Sequence, residues 1–251
     1  MMKIIIGGAL GRMGQQVAAA AQNIVCGVDI AYNGQDSCFP VFKNYADVNL
    51  KADVLIDFSH ASALPALLEF ALKQEMPAVL CTTGYTDEDL QQIEKTSRYI
   101  PILRSANMSL GVNVLSELVS VAARTLAGFD VEIVEKHHRM KADSPSGTAL
   151  MLYETVRKER GQQAQAQYGR HGRMQKRTEA EIGIHAVRGG TVTGEHEVGF
   201  YGNGEQLILT HRAESRELFA QGALKAAAYL MNKPAGLYSM HDVVMEILSH
   251  R

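Results

Sequence analysis

The chain has little that would staple or anchor it. Its three cysteines, Cys26, Cys38 and Cys81, are odd in number and show no CxxC spacing. That excludes a disulfide framework and a cysteine zinc site, and it predicts a reducing, cytoplasmic setting. Long apolar runs are missing too. After Met-Met-Lys, the run Ile4–Ile6 gives way at once to glycine. It is too short for the apolar region of a signal peptide or for a membrane span, so it is expected to be a first buried strand. Nor is there an excess of one charge. The formal net charge of −2 supplies no field to gather nucleic acid or an anionic membrane. An anionic ligand must therefore be held by a local group of cations. Repeats and low-complexity segments are also absent. With 251 residues, 46% hydrophobic and 21% charged, the chain can build one large domain or two modest ones around a sizeable core.

The N-terminal part alternates short apolar runs with helical patterns. Lys3–Ile6, Ile24–Val28, Val54–Phe58, Ala78–Cys81 and Ile102–Arg104 read as strands, and Met13–Gln22, Ser62–Lys73 and Asp87–Tyr99 as helices. Thr86 before Asp87, Glu88 and Asp89 places an N-cap and acidic residues where the helix dipole favours them. Alternating βαβ units with nearly continuous apolar strands predict a parallel sheet covered on both faces. Ligands of such sheets collect at the carboxyl ends of the strands, here the loops after Ile6, Val28, Phe58, Cys81 and Arg104.

From about Leu110 the pattern changes. Val112, Leu115, Leu118, Val119, Ala122 and Leu126 form an apolar stripe at helical spacing, followed by a strand at Asp130–Val134, a cationic loop and a helix from about Ser146. Ala164–Arg177, rich in Gln, Arg and Gly, reads as an exposed mobile loop. Glu181–Arg188, Thr191–Phe200 and Gln206–Arg212 predict an antiparallel meander or a mixed sheet, and Ser215–Met231 and Asp242–Leu248 two closing helices. The expected class is α/β: a Rossmann-type parallel-sheet dinucleotide-binding domain followed by an α+β domain.

The first strand passes into the first helix through Gly7-Gly8-Ala9-Leu10-Gly11-Arg12-Met13-Gly14. Small residues let the backbone approach a pyrophosphate, whose charge then sits on N–H groups at the helix start. The usable spacing is Gly8, Gly11, Gly14, a variant of the GxGxxG pattern. Tight turns also need glycine for conformational reasons alone. What favours a ligand is the context of strand, helix and then Asp29 at the end of the second strand, able to accept hydrogen bonds from ribose hydroxyls. Asp29 is followed by Ile30, Ala31 and Tyr32, with no cation for a 2′-phosphate, which predicts a preference for NADH over NADPH.

The most informative stretch is Glu135-Lys136-His137-His138-Arg139-Met140-Lys141-Ala142-Asp143-Ser144-Pro145-Ser146-Gly147-Thr148. His137, His138, Arg139 and Lys141 crowd together after a strand, a density that suggests an anion site although most charge runs are only solvated. Ser144–Thr148 opens a helix whose N–H groups make a second anion cradle nearby. Two cradles suit a small dicarboxylate, and an imidazole is a ready proton donor near neutral pH. No metal is expected, because adjacent histidines without a cysteine or carboxylate at ligand spacing make a poor site.

These residues resemble the 4-hydroxy-tetrahydrodipicolinate reductase (dihydrodipicolinate reductase) family. The matching pieces are Gly8–Gly14, VLIDFS at Val54–Ser59, TTG at Thr82–Gly84, ANMSLGVN at Ala106–Asn113, the string Glu135–Thr148, and Gly194-Glu195-His196. The resemblance implies His137 as general acid/base and Lys141 as proton donor, with His138, Gly147 and Thr148 holding the substrate. It places Gly8, Ala9, Leu10, Gly11, Arg12, Met13, Asp29, Cys81, Thr82, Thr83, Ser105, Ala106, Asn107 and Met108 around the cofactor. The implied reaction is hydride transfer from NADH, or from NADPH, to the substrate ring with net loss of water. Residues 1–109 and 216–251 are the implied dinucleotide-binding domain, and 110–215 the domain for substrate and for assembly of a homotetramer. The chain also departs from relatives. Ile30 and His60 stand where some carry arginine, Met140 and Met108 where histidine and phenylalanine are frequent, and the stretch from Asp29 to Lys51 is short, implying a more open adenosine pocket.

Three other features have plainer readings. Cys81 is expected to be a buried strand-end thiol, not a nucleophile, and the 11 methionines are core filler. His196 alternates away from Glu195 and Glu197 along a strand, which argues against a ligand set. A different dehydrogenase, such as one acting on an amino acid, or a nucleotide-sensing module remain the competing functions.

Overall fold

The computed structural model describes residues 1–161, 163–173 and 176–249. In chain order the elements are β1 (Ile4–Gly7), α1 (Arg12–Ala20), β2 (Ile24–Val28), β3 (Val41–Phe42), β4 (Val54–Asp57), α2 (Leu64–Lys73), β5 (Ala78–Leu80), α3 (Asp87–Ser97), β6 (Pro101–Arg104) and α4 (Leu110–Thr125). They continue with β7 (Asp130–His137), α5 (Gly147–Arg160), β8 (Gln165–Tyr168), β9 (Glu181–Arg188), β10 (Gly194–Tyr201), β11 (Gln206–Ala213), α6 (Glu217–Leu230), β12 (Gly236–Tyr238) and α7 (Met240–Ser249). The chain forms two compact units, one of Met1–Leu110 with Arg216–Arg251, the other of Gly111–Ser215.

The first unit is a parallel seven-stranded sheet in the order β12-β6-β5-β4-β1-β2-β3. Alternation along its central strands explains their continuous apolar runs. Ile4, Ile6, Val54 and Ile56 face one core with Val17 and the α6 residues Ala220, Ala223, Ala227 and Leu230. Ile5 and Leu55 face the other, with Leu67, Leu68 and Ile93 of α2 and α3. A strand buried on both faces has no polar side to show. Strands β3 and β12 are too short to carry a pattern of their own, and they form the two edges by pairing with β2 and β6. Thr86 caps α3 as expected, its hydroxyl accepting the Asp89 N–H at 3.2 Å.

In the second unit the sheet order is β11-β10-β7-β9-β8. It is mixed and not a meander, because β7 lies between β9 and β10, parallel to the first and antiparallel to the second. Leu115, Val119, Leu152 and Val156 of α4 and α5 pack on Val131, Ile133, Ile184, Val198 and Phe200. Two expectations need correction. The strand expected to stop at Val134 runs on to His137, since β9 and β10 pair with it that far, and a ladder outweighs polar composition. The stretch Ala164–Arg177 is not loop throughout. It contains β8, which pairs with β9, while Met174 and Gln175 lie outside the described residues.

Candidate active site

In the first unit the loops after β1, β2, β4, β5 and β6 leave one edge of one parallel sheet. Gly8 has φ +69°, and a Cβ there would lie 2.7 Å from the Phe58 carbonyl oxygen. A Cβ on Gly14 would run into the Gly8 carbonyl and stand 2.8 Å from Ala9 Cα. Gly11 is the N-cap of α1 and offers no side chain to its first turn. The glycines thus draw the turn against the sheet and leave the helix start uncovered by side chains, which fits a pyrophosphate.

Asp29 accepts the Leu10 N–H on Oδ2 and the Ala31 N–H on Oδ1, each at 2.9 Å. Each carboxylate oxygen keeps a lone pair for a ribose hydroxyl. A cleft of about 450 Å³ opens here, lined among others by Gly8, Gly11, Asp29, Ile30, Ser59 and His60. Lys43 lines it as well. Nothing in the chain next to Asp29 announces this cation. It arrives because β3 pairs with β2 and ends beside it.

Leu10, Arg12 and Met13 reach solvent to differing degrees, whereas Ala9 is buried in the core. Cys81, Thr82 and Thr83 follow β5, and Ser105, Ala106, Asn107 and Met108 follow β6; none of them lines the cleft. Thr82 donates its hydroxyl to Asp57 Oδ2 at 2.7 Å, and Asp57 is 1% exposed. Burial pushes that carboxyl up, with hydrogen bonds from Ser59 and Thr82 opposing. The Cys81 thiol is buried and pushed up by burial, so it is no ready nucleophile. Ser105 Oγ donates to the Asn107 carbonyl at 2.8 Å, and Met108 is packed into the core.

In the second unit the string Glu135–Thr148 folds around a buried carboxylate. Glu135 and His137 are two apart on β7 and so share a face. In register, Glu135 sits opposite His196 on β10 and His137 opposite Arg188 on β9. Glu135 is 0% exposed. It accepts Arg188 Nη1 and Nη2 at 2.8 and 2.7 Å, the Ser146 N–H at 3.0 Å and His137 Nδ1 at 2.5 Å. Burial alone would push its carboxyl up, yet these hydrogen bonds outweigh it and hold the group below its ordinary value. The His137 imidazole is pushed down by burial, with Glu135 opposing and Lys141 and Arg188 adding to the fall.

Lys141 Nζ pairs with Asp143 Oδ1 at 2.8 Å. The Lys141 N–H donates to the His138 carbonyl at 3.1 Å, so His138 and Lys141 belong to one turn after β7. Arg139 and Met140 are exposed. The cations are therefore not bare, since Glu135 and Asp143 of the same string balance part of their charge. Ser146 caps α5, its Oγ accepting the Ala149 N–H at 3.1 Å, and Gly147 and Thr148 are the first residues of that helix. The same hydroxyl lies 2.8 Å from His196 Nε2. His196 is buried as the alternation implies, and burial takes it down to about 4, so it is neutral at pH 7. Of these, Arg188 is invisible to the pattern of the string, because only the β7–β9 pairing brings it to Glu135. Among the described residues no group of three His, Cys, Asp or Glu side chains could hold a metal ion.

A glycine turn on a parallel sheet, an acidic strand end and a separate mixed sheet bearing a carboxylate–imidazole–lysine cluster define a two-unit dinucleotide-binding α/β protein. The chain matches "Dihydrodipicolinate reductase, N-terminus" over residues 2–108 and "Dihydrodipicolinate reductase, C-terminus" over residues 111–244. It belongs to the dihydrodipicolinate reductase family. It is 48% identical over 249 residues to the 4-hydroxy-tetrahydrodipicolinate reductase of Caldanaerobacter subterraneus, covering 97% of this chain and 98% of that one. With the enzyme of that name from Clostridium botulinum it shares 46% over 252 residues, again with 97% and 98% coverage. Its fold superposes with TM-score 0.79 on the dipicolinate-bound dihydrodipicolinate reductase from Paenisporosarcina sp. TG-14, at 27% identity and 95% and 97% coverage.

Proposed function

We propose that this protein reduces 4-hydroxy-tetrahydrodipicolinate to tetrahydrodipicolinate with NAD(P)H and net loss of water, in diaminopimelate and lysine biosynthesis. The observation that carries it is the His137–Glu135–Arg188 cluster beside Lys141 and the start of α5, in a chain of this family. His137 acts as general acid/base and Lys141 as proton donor. His138, with Gly147 and Thr148 at the helix start, binds a substrate carboxylate. That a related structure holds dipicolinate, a planar dicarboxylate, supports this class of substrate.

The residues Gly8 to Met13, Asp29, Cys81 to Thr83 and Ser105 to Met108 hold the dinucleotide, whose reduced nicotinamide supplies the hydride. NADH is the preferred donor, because the Asp29 carboxylate repels a 2′-phosphate and Ile30, 82% exposed, offers it nothing. Lys43 is the cation that lets NADPH be used. The unit 1–109 with 216–251 binds dinucleotide, and 110–215 binds substrate and builds a homotetramer in the cytoplasm. The test is NADH oxidation with substrate generated by dihydrodipicolinate synthase from pyruvate and aspartate semialdehyde, with NADPH in parallel. Rapid oxidation needing both proteins supports the reading, and NADH binding without oxidation removes it.

A further inference from the structure

We infer that the Glu135–Arg188 pair is a positioning device for proton delivery, fixing the His137 ring through Nδ1 so that Nε2 carries the exchangeable proton. The inference rests on the proposed role of His137 and names two residues that set how it performs that role.

Glu135 has no exposed surface, and its two oxygens take four donors from three segments, namely β7, β9 and the cap of α5. A buried carboxylate with such partners stays ionised, and an ionised carboxylate only accepts. The proton between Glu135 and His137 therefore sits on Nδ1, and Nε2 is the nitrogen left for exchange. Gly194 keeps that side open, since a Cβ there would lie 3.1 Å from Nε2.

Arg188 does more than neutralise Glu135. Its Nη2 also donates to the Asp143 carbonyl at 2.7 Å, and the Asp143 carboxylate holds Lys141. One guanidinium thus ties the support of His137 to that of Lys141. The charged and titratable groups facing His137 are Glu135 on its own strand, Lys141 and Asp143 from the following loop, Arg188 from β9 and His196 from β10, edge-on at 5.2 Å. His196 is neutral, its Nε2 engaged by the Ser146 hydroxyl at 2.8 Å, so it is not the group that steadies the His137 cation. Among the described residues, Glu135 is the one carboxylate in direct contact with the ring.

Glu135→Gln and Arg188→Lys are tested in the whole protein by following kcat, kcat/KM and the KM for NADH across pH 5 to 9, with His137→Gln as reference. Glu135→Gln is expected to lower kcat at pH 7 by about 100-fold while leaving the KM for NADH within about twofold. Its limb of falling activity with rising pH moves to lower pH by about one unit, because a contact that favours the protonated ring is gone. Arg188→Lys should retain part of the activity and show a smaller displacement of the same sign. An unmoved limb, or a kcat within about threefold of the parent, overturns the inference.

If Glu135→Gln does not fold because Arg188 is left unpaired, Glu135→Gln with Arg188→Met removes both charges and is expected to show the same displaced limb. The parent protein supplies an independent readout. Ring-nitrogen NMR, assigned by the signal lost in His137→Gln, should report the Nδ1–H tautomer, and an Nε2–H tautomer overturns the inference. A parent protein inactive on the ring substrate would remove the proposed function and leave the tautomer result standing.

Discussion

Lys141 Nζ lies 2.8 Å from Asp143 Oδ1, and this pairing holds the ammonium in the turn just after His137. The Asp143 carboxyl is held below its ordinary value chiefly by that hydrogen bond, so it stays an ionised partner for the lysine near neutral pH. Lys141→Ala should lower kcat by about 100-fold if the proton donor is lost, with the KM for NADH unchanged. His138→Ala should act mainly on the KM for the ring substrate. Steady-state kinetics of the two variants decides the matter: if both keep kcat/KM within about threefold, under about 1 kcal/mol of transition-state stabilisation, the assigned site is wrong.

Lys43 and Asp29 line one cleft with opposite charge. A phosphate on the ribose would meet the lysine, whereas a free hydroxyl would not need it. Lys43→Ala is expected to reduce kcat/KM with NADPH about tenfold, roughly 1.4 kcal/mol, and to leave NADH within about twofold. Equal losses with both cofactors would show that Lys43 acts on the shared part of the dinucleotide.

Gly222 on α6 abuts the loop after β6. A Cβ there would overlap the Met108 carbonyl oxygen and lie 2.8 Å from its carbon. Main chain cannot swing aside as a flexible side chain does, so Gly222→Ala should cost about 1–3 kcal/mol of stability. Because the displaced loop is Ser105–Met108, the KM for NADH should rise too. Urea unfolding together with cofactor titration tests both effects, and an unchanged midpoint would place the alanine without strain.

His196 gives the protein an acid-sensitive core. Burial lowers its folded pKa to about 4 from an ordinary 6.5. Between those values the unfolded chain binds the proton and the folded one does not, so stability falls as pH drops through that window. From pH 7 to 5 this contributes a loss of about 2 kcal/mol. Chemical unfolding at the two pH values should show it, and His196→Asn should flatten the difference. A slope that survives the substitution assigns the acid sensitivity to another group.

Much of the chain was legible because local chemistry dictates it. Ile4–Ile6 and Val54–Ile56 are apolar on both faces, Gly8 and Gly14 stand where any Cβ would strike backbone, and Ser146 caps the helix that follows it. The string from Glu135 to Thr148 gathers its imidazoles, cations and helix start in consecutive residues, so the chain order alone displays it. The edge strands β3 and β12 were hidden for the opposite reason, since two or three residues have no period to read.

Partnerships across strands were beyond reach of the chain order. Arg188 meets Glu135 because β9 lies parallel beside β7, Lys43 comes to line the cleft of Asp29 because β3 closes the edge next to β2, and β7 extends to His137 because both neighbours pair with it that far. A side chain's own preferences govern its turn of helix or its step of strand. Which charge stands opposite which is set by the register of hydrogen-bonded ladders between segments tens of residues apart, and that register exists only once the core has folded.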